Sequence, residues 1–302
     1  MRFWLLVALI VFTAYFLMQR MMYPQLNHNS VVDRLSHPLD TRLRYRIGDV
    51  DPRFNLSQDQ IKTLSQQAAD IWHLGTMKSL FVYDPNAQLS INLIYDERQA
   101  ESSARKQEIR ILENTQQYTQ NEKQRVQQIQ SELDLANREL EIQKTNYQTK
   151  VDQYNQLINM INQSQQNLSP YQRQQLEQQK EQLTIDQSQL KQQLDAYNQK
   201  VNDLNRQVDQ LNSINQQFNQ SVDQFNTRFQ PRQFDKGVFD GKSIKIYEFE
   251  SHDDLRVTIA HELGHALGLK HNTDPKALMY PTMKDQDLQN FKLTTADLAM
   301  LK

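Results

Sequence analysis

The chain has 302 residues, a formal net charge of −2, 38% hydrophobic residues and no cysteine. So even a charge balance excludes a strongly basic nucleic-acid binder. The lack of cysteine excludes disulfides and thiolate metal sites, which leaves His, Asp and Glu as the available metal ligands.

The chain opens with an apolar run of sixteen residues, Phe3 to Met18, bounded by Arg2 on one side and Gln19-Arg20 on the other. As a helix the run covers about 24 Å, against a hydrocarbon core of about 30 Å that flanking residues and bilayer thinning help to match. Bulky Tyr15, Phe16, Leu17 and Met18 stand where a cleaved signal peptide has small residues. Residues 1–22 therefore read as an uncleaved, single-pass signal-anchor in the cell membrane, with the remainder extracytoplasmic. A secreted protein with a cleaved signal is the alternative. Residues 23–39 read as a linker.

A small α+β domain begins near residue 40. YRIGDV (45–50) reads as a strand and Asp51-Pro52 as a turn. Ser57 and Gln60 then form a capping box ahead of an amphipathic helix carrying Ile61, Leu64, Ala68, Ile71 and Trp72, with Gly75 as its C-cap. SLFVY (79–83) and LSINLIY (89–95) follow as strands. The domain then stops in mid-architecture.

From 97 to 230 the composition turns to Gln, Asn and charged residues, with no Gly and a single Pro. Disorder is the bland reading of such a tract, but its periodicity speaks against it. Leu176, Leu183, Leu190, Tyr197, Leu204, Leu211, Phe218 and Phe225 recur every seven residues, with a second ladder including Leu194, Val201, Val208, Val222 and Phe229 between them. A matching seam runs from Val126 through Leu133, Leu140 and Tyr147 to Ile161. These are coiled-coil seams. In NLSP, Ser169 can cap a new helix and Pro170 suits its first turn, so an antiparallel helical hairpin is expected, its second arm about 90 Å long. A hairpin returns the chain to where it left off, so residues 231–302 can complete the domain; it also offers a docking surface for a protein partner.

Three of the seven histidines lie in HELGHALGLKH, residues 261–271. SIKIYEF (243–249) precedes them as a strand, and Ser251 with Asp254 caps the helix between. His261 and His265, one turn apart, share a face and can chelate one zinc ion. Gly268 lets the helix end, so that His271 can swing back as a third ligand and leave one position for water. Glu262 is placed as the general base that takes the water proton.

The pattern H-E-x-x-H-x-x-G-x-x-H, followed by Ala277-Leu278-Met279-Tyr280-Pro281, resembles the metzincin zinc endopeptidases, and in its ALMYP form the matrixin, or matrix-metalloprotease-like, branch. The resemblance covers roughly residues 40–96 and 237–302, including the final LTTADLAMLK, where Thr294 and Asp297 cap a last helix. It implies a zincin-like catalytic domain, here interrupted by the hairpin, in which His261, His265 and His271 bind one catalytic zinc ion and Glu262 is the base. Met279 would form the Met-turn and Pro281 a wall of the substrate pocket. Tyr280 does not match the M-x-Y position of metal-binding tyrosines in other metzincins. No ligand set equivalent to the calcium and structural-zinc loops of matrixins is found in the insertion, and latency through a propeptide cysteine is excluded. The expected function is hydrolysis of peptide bonds in a protein or peptide substrate outside the cytoplasmic membrane. The rival is a surface-tethered coiled-coil spacer with a non-catalytic metal site, against which Glu262 argues. SIKIYEF is a candidate edge for pairing with an extended substrate.

Overall fold

The computed structural model describes residues 2–164, 168–232, 234–283 and 285–301, with side chains from residue 10 onward. A helix, α1, forms over Arg2–Met22. Among the described residues, however, no helix is long and apolar enough to cross a membrane. The transmembrane anchor expected over 1–22 therefore finds no support. Its apolar run ends at Met18, short of the roughly 20 residues a span needs, and the side chains of its first nine residues lie outside those described. The stretch 23–39, expected as a linker, is structured: a 3-10 turn over Pro24–His28 buries Leu26, and a short helix, α2 (Val31–Ser36), is closed at its start by a Ser30–Asp33 capping box.

Strand β1 (Leu43–Val50) is the longest of the five described strands, and its neighbours are β2 (Phe81–Tyr83) and β3 (Leu89–Leu93). Both pair with it in parallel, which the intervening helix α3 (Gln58–Thr76) permits by carrying the chain back along one face. The apolar positions of α3 read from the sequence lie inward, with Ile61, Ala68 and Trp72 fully buried. Its end differs from expectation. Gly75 lies within the helix, and Met77 takes the left-handed cap at φ 56°. Gly75 serves close approach instead, since a Cβ there would meet Leu293 Cδ1 at 2.6 Å.

The sheet resumes after the insertion with β4 (Gly237–Phe239) and β5 (Ser243–Ile246), giving the order β2-β1-β3-β5-β4. Strand β5 runs parallel to β3, while β4 is antiparallel to β5. The SIKIYEF strand is thus interior, and the edge belongs to β4, a three-residue strand too short to leave a pattern in the sequence. The zinc-motif helix α6 (His252–Ala266) and a last helix α7 (Thr295–Ala299) complete this part. Helix α6 packs on α3, where Trp72 Nε1 donates to the carbonyl of Ala260 at 2.9 Å.

The chain divides into two compact units, residues 1–107 with 231–302, and residues 108–230. Within the second, α4 (Glu97–Ser164, whose first turns belong to the first unit) and α5 (Pro170–Arg228) take up nearly the whole length. Lys150 on one and Asp186 on the other pair at 2.7 Å, and Val126 and Leu133 of the first seam are buried. Leu194, on the second ladder, is 48% exposed. Ser169 caps α5 with Gln172 as its box partner; Asn167 of NLSP lies outside the described residues.

The α4 root is stitched to the connection between β5 and α6. Phe249 N–H donates to Gln99 Oε1 at 3.0 Å, and Gln99 Nε2 returns a bond to Phe249 O at 3.2 Å. The Arg98 guanidinium lies 3.5 Å over the Tyr247 ring, and Lys106 Nζ reaches the carbonyl of Glu250 at 3.0 Å.

Candidate zinc centre

Helix α6 begins at Ser251, whose hydroxyl accepts from Asp254 N–H. The Asp254 carboxylate faces Lys236 Nζ at 2.6 Å, and Glu248 approaches the same ammonium at 3.1 Å. Burial works against the charge of Lys236, but the two carboxylates outweigh it and raise its pKa. This lysine precedes β4 directly, so the ion pair holds the edge strand against the helix. The approach is close: a Cβ on Gly237 would sit 2.9 Å from Glu262 Cγ.

Further along α6 the backbone has no room to spare. At Gly264, the glycine within HELGH, a Cβ would collide with Met279 Sδ and stand 2.7 Å from Trp72 Cζ2. The helix then ends in a Schellman turn. Gly268 takes φ +90°, its N–H donates to His265 O at 2.9 Å, and Leu269 N–H donates to Gly264 O at 3.1 Å. The same turn aims the carbonyl of Leu269 at His265 Nδ1, 2.8 Å away. His261 is oriented in the same manner by a second carbonyl, Leu278 O, at 2.6 Å from its Nδ1.

With their Nδ1 atoms committed to carbonyls, His261 and His265 present Nε2 to a common point, and His271 joins them. Its Nε2 lies 3.3 Å from that of His261 and 3.2 Å from that of His265. Three nitrogens about 2.0–2.1 Å from a tetrahedral zinc ion stand about 3.3–3.4 Å apart, so the spacing fits that ion. Burial drops the His261 pKa to about 4, and burial together with His265 also lowers that of His271. Both are therefore neutral near pH 7 and keep a lone pair for a metal. Among the described residues these three histidines are the only group able to hold a metal ion.

Glu262 is buried, with Oε2 making no hydrogen bond. Burial pushes its carboxyl up to about 7; the charge of Asp235 adds to the rise and a backbone N–H from Phe239 opposes it. Met279 is fully buried against Gly264, while Pro281 is exposed. The segment holding Leu278 and Met279 is fixed by Asp297, whose carboxylate accepts both of their N–H groups and that of Thr294. Reading the sequence missed Asp297 as part of the site, having used it only as the capping partner of Thr294. It also missed Gly237 and Gly264, because the need for a glycine arises from elements far apart in the chain.

A family model described as Matrixin matches residues 39–302. The chain belongs to the matrixin family. Human (Homo sapiens) matrilysin is 58% identical over 59 residues, 20% of each chain. Cat (Felis catus) matrilysin is 55% identical over 38 residues, 13% of this chain and 14% of that one. Rabbit (Oryctolagus cuniculus) macrophage metalloelastase is 51% identical over 45 residues, 15% of this chain and 10% of that one. The chain thus matches a fifth or less of the length of these curated relatives. Matrixins are zinc-dependent metalloendopeptidases, and the three convergent imidazoles suit that metal.

Proposed function

We propose that this matrixin is a zinc endopeptidase that cleaves protein or peptide substrates outside the cytoplasmic membrane. The observation that carries the reading is that His271 Nε2 meets those of His261 and His265 at 3.3 and 3.2 Å, while Glu262, next to His261 in the chain, has a buried Oε2 with no partner. A structural metal site has no use for such an oxygen.

His261, His265 and His271 would hold zinc, which when bound supplies a Lewis acid that acidifies a water and polarises the scissile carbonyl. Glu262 Oε2 takes the proton of the attacking water and hands it to the leaving amine. The backbone N–H of Phe239 favours the ionised carboxyl, while burial raises its proton affinity toward neutrality, where acceptance and return are both accessible. The outer edge of β4 offers backbone groups to an extended substrate, which would add as a strand. Pro281 lines the pocket for the residue after the scissile bond.

The extracytoplasmic setting is drawn from the apolar N-terminal run. Residues 97–230 form an antiparallel coiled-coil hairpin whose flanks hold a protein partner or the substrate. A peptide-library digest by the full chain, stopped by a zinc chelator and restored by added zinc, tests the activity. Zinc binding at one ion per chain without any cleavage would instead support the spacer reading.

A further inference from the structure

Helix α2 is inside out. On an ordinary surface helix the polar side faces water. Here Asp33 is buried and bonded to Ser30, and the Arg34 guanidinium lies 4.9 Å over the Phe16 ring, while Val31, Val32 and Leu35 face solvent. Val32 is 74% exposed and Leu39, just beyond the helix, 84%. The residues are held, not loose. Tyr15 Oη and Gln19 Nε2 both donate to Pro38 O at 3.0 Å, fastening the end of α2 to α1. Asn29 ties the segment to β1 through Arg42 O and Arg44 N–H. On α1, Met18 and Met21 are exposed as well.

We propose that α2 and the segment to Leu39, together with the exposed side of α1, form a docking face for an anionic lipid bilayer, on which the chain rests whether or not α1 crosses it. Three features select lipid over a second protein surface. The apolar atoms stand out from the body instead of lining a groove. Residues 1–39 hold three arginines and a single acidic residue, Asp33, which is turned inward, so this stretch itself offers no exposed carboxylate to oppose a negative headgroup layer. Tyr15 and Tyr23, partly exposed, have the apolar body and polar tip that suit the headgroup level.

The chain lacks cysteine, so one introduced thiol can be labelled uniquely. Full-length Leu35→Cys carrying an environment-sensitive fluorophore is mixed with phosphatidylcholine–phosphatidylglycerol vesicles, and Asn290→Cys serves as a solvent-exposed control. The proposal expects a blue shift at position 35, quenching by nitroxide-bearing lipid, and neither change at position 290. It is overturned if the chain does not bind the vesicles, or if it binds while the label at 35 stays as wet as that at 290. A blue shift that appears without lipid and accompanies a doubled mass would also overturn it, assigning the face to a second copy of the chain.

Discussion

Asp297 Oδ1 accepts the backbone N–H of Met279 at 3.0 Å, while Oδ2 of the same carboxylate takes Leu278 N–H at 2.9 Å. A helix near the end of the described chain thereby fixes the loop whose Leu278 carbonyl orients His261. Replacing Asp297 with Ala strands two buried N–H groups, at a cost of about 3 kcal/mol. Zinc affinity should fall roughly ten- to a hundred-fold, as for loss of an outer partner to a metal ligand. Chelator competition measures the affinity and thermal melting the stability. Lower stability with unchanged affinity would confine Asp297 to the fold.

Glu262→Gln should keep about one zinc per chain, while peptide hydrolysis drops by a factor on the order of a hundred or more. Native mass spectrometry and a fluorogenic peptide assay report the two quantities. Undiminished turnover would remove Glu262 from the mechanism.

The same substitution has a pH signature in metal-free protein. Burial lifts the Glu262 carboxyl from 4.5 to about 7, so the folded chain keeps a proton that the unfolded chain has already released. Stability is therefore lost as pH rises across that window, by about 1.4 kcal/mol per unit and about 3 kcal/mol in all. Below the window the penalty is absent. The difference in unfolding free energy between Glu262→Gln and wild type should grow in the variant's favour from pH 4.5 to 7, then level off. A difference that does not vary with pH would contradict the burial.

Gly264→Ala forces a methyl group against Met279 Sδ and Trp72 Cζ2. A loss of roughly 2–3 kcal/mol is expected, with weaker zinc binding because the flanking ligands move. Gly241→Ala provides the contrast. A Cβ there meets nothing within 4 Å and only the positive φ of 89° resists it, at about 1–2 kcal/mol. Equal melting temperatures for the two variants would show that Gly264 is not crowded.

The insertion should be removable, at one boundary and not another. A short Gly/Ser linker in place of 108–230 spares Arg98, Gln99 and Lys106, which bond to the segment from Tyr247 to Glu250 just before α6. That protein should bind zinc and cleave small peptides nearly as well as the full chain. Cutting back to Arg98 removes those bonds and should lower stability and zinc occupancy. If both truncations behave alike, the α4 root has no part in holding the site.

The convergence of His261, His265 and His271 was legible in the sequence because H-E-x-x-H and the following glycine place the three imidazoles within one helix and one turn. Ser57, Ser169, Ser251 and Thr294 likewise each marked a helix start, since a cap is a local device. Strand β4 escaped notice because three residues carry no alternation, and with it went the identity of the sheet edge. Gly75 was read as a cap, yet it is a contact with Leu293, more than two hundred positions away in the chain. The short helix within 23–39 was passed over for a related reason: the apolar side of α2 faces outward, and a pattern read for core burial misses it.

The atoms that aim His261 and His265 are main-chain carbonyls, Leu278 O and Leu269 O. Backbone oxygens carry no side-chain identity, so residues 269 and 278 can change type without disturbing how the imidazoles point, provided each still packs and the local backbone path survives. Tolerance at these two positions is thus set by conformation. Variation there leaves the surroundings of the imidazoles chemically constant, whereas a shift in the turn at Gly268 alters them with all three histidines still in place.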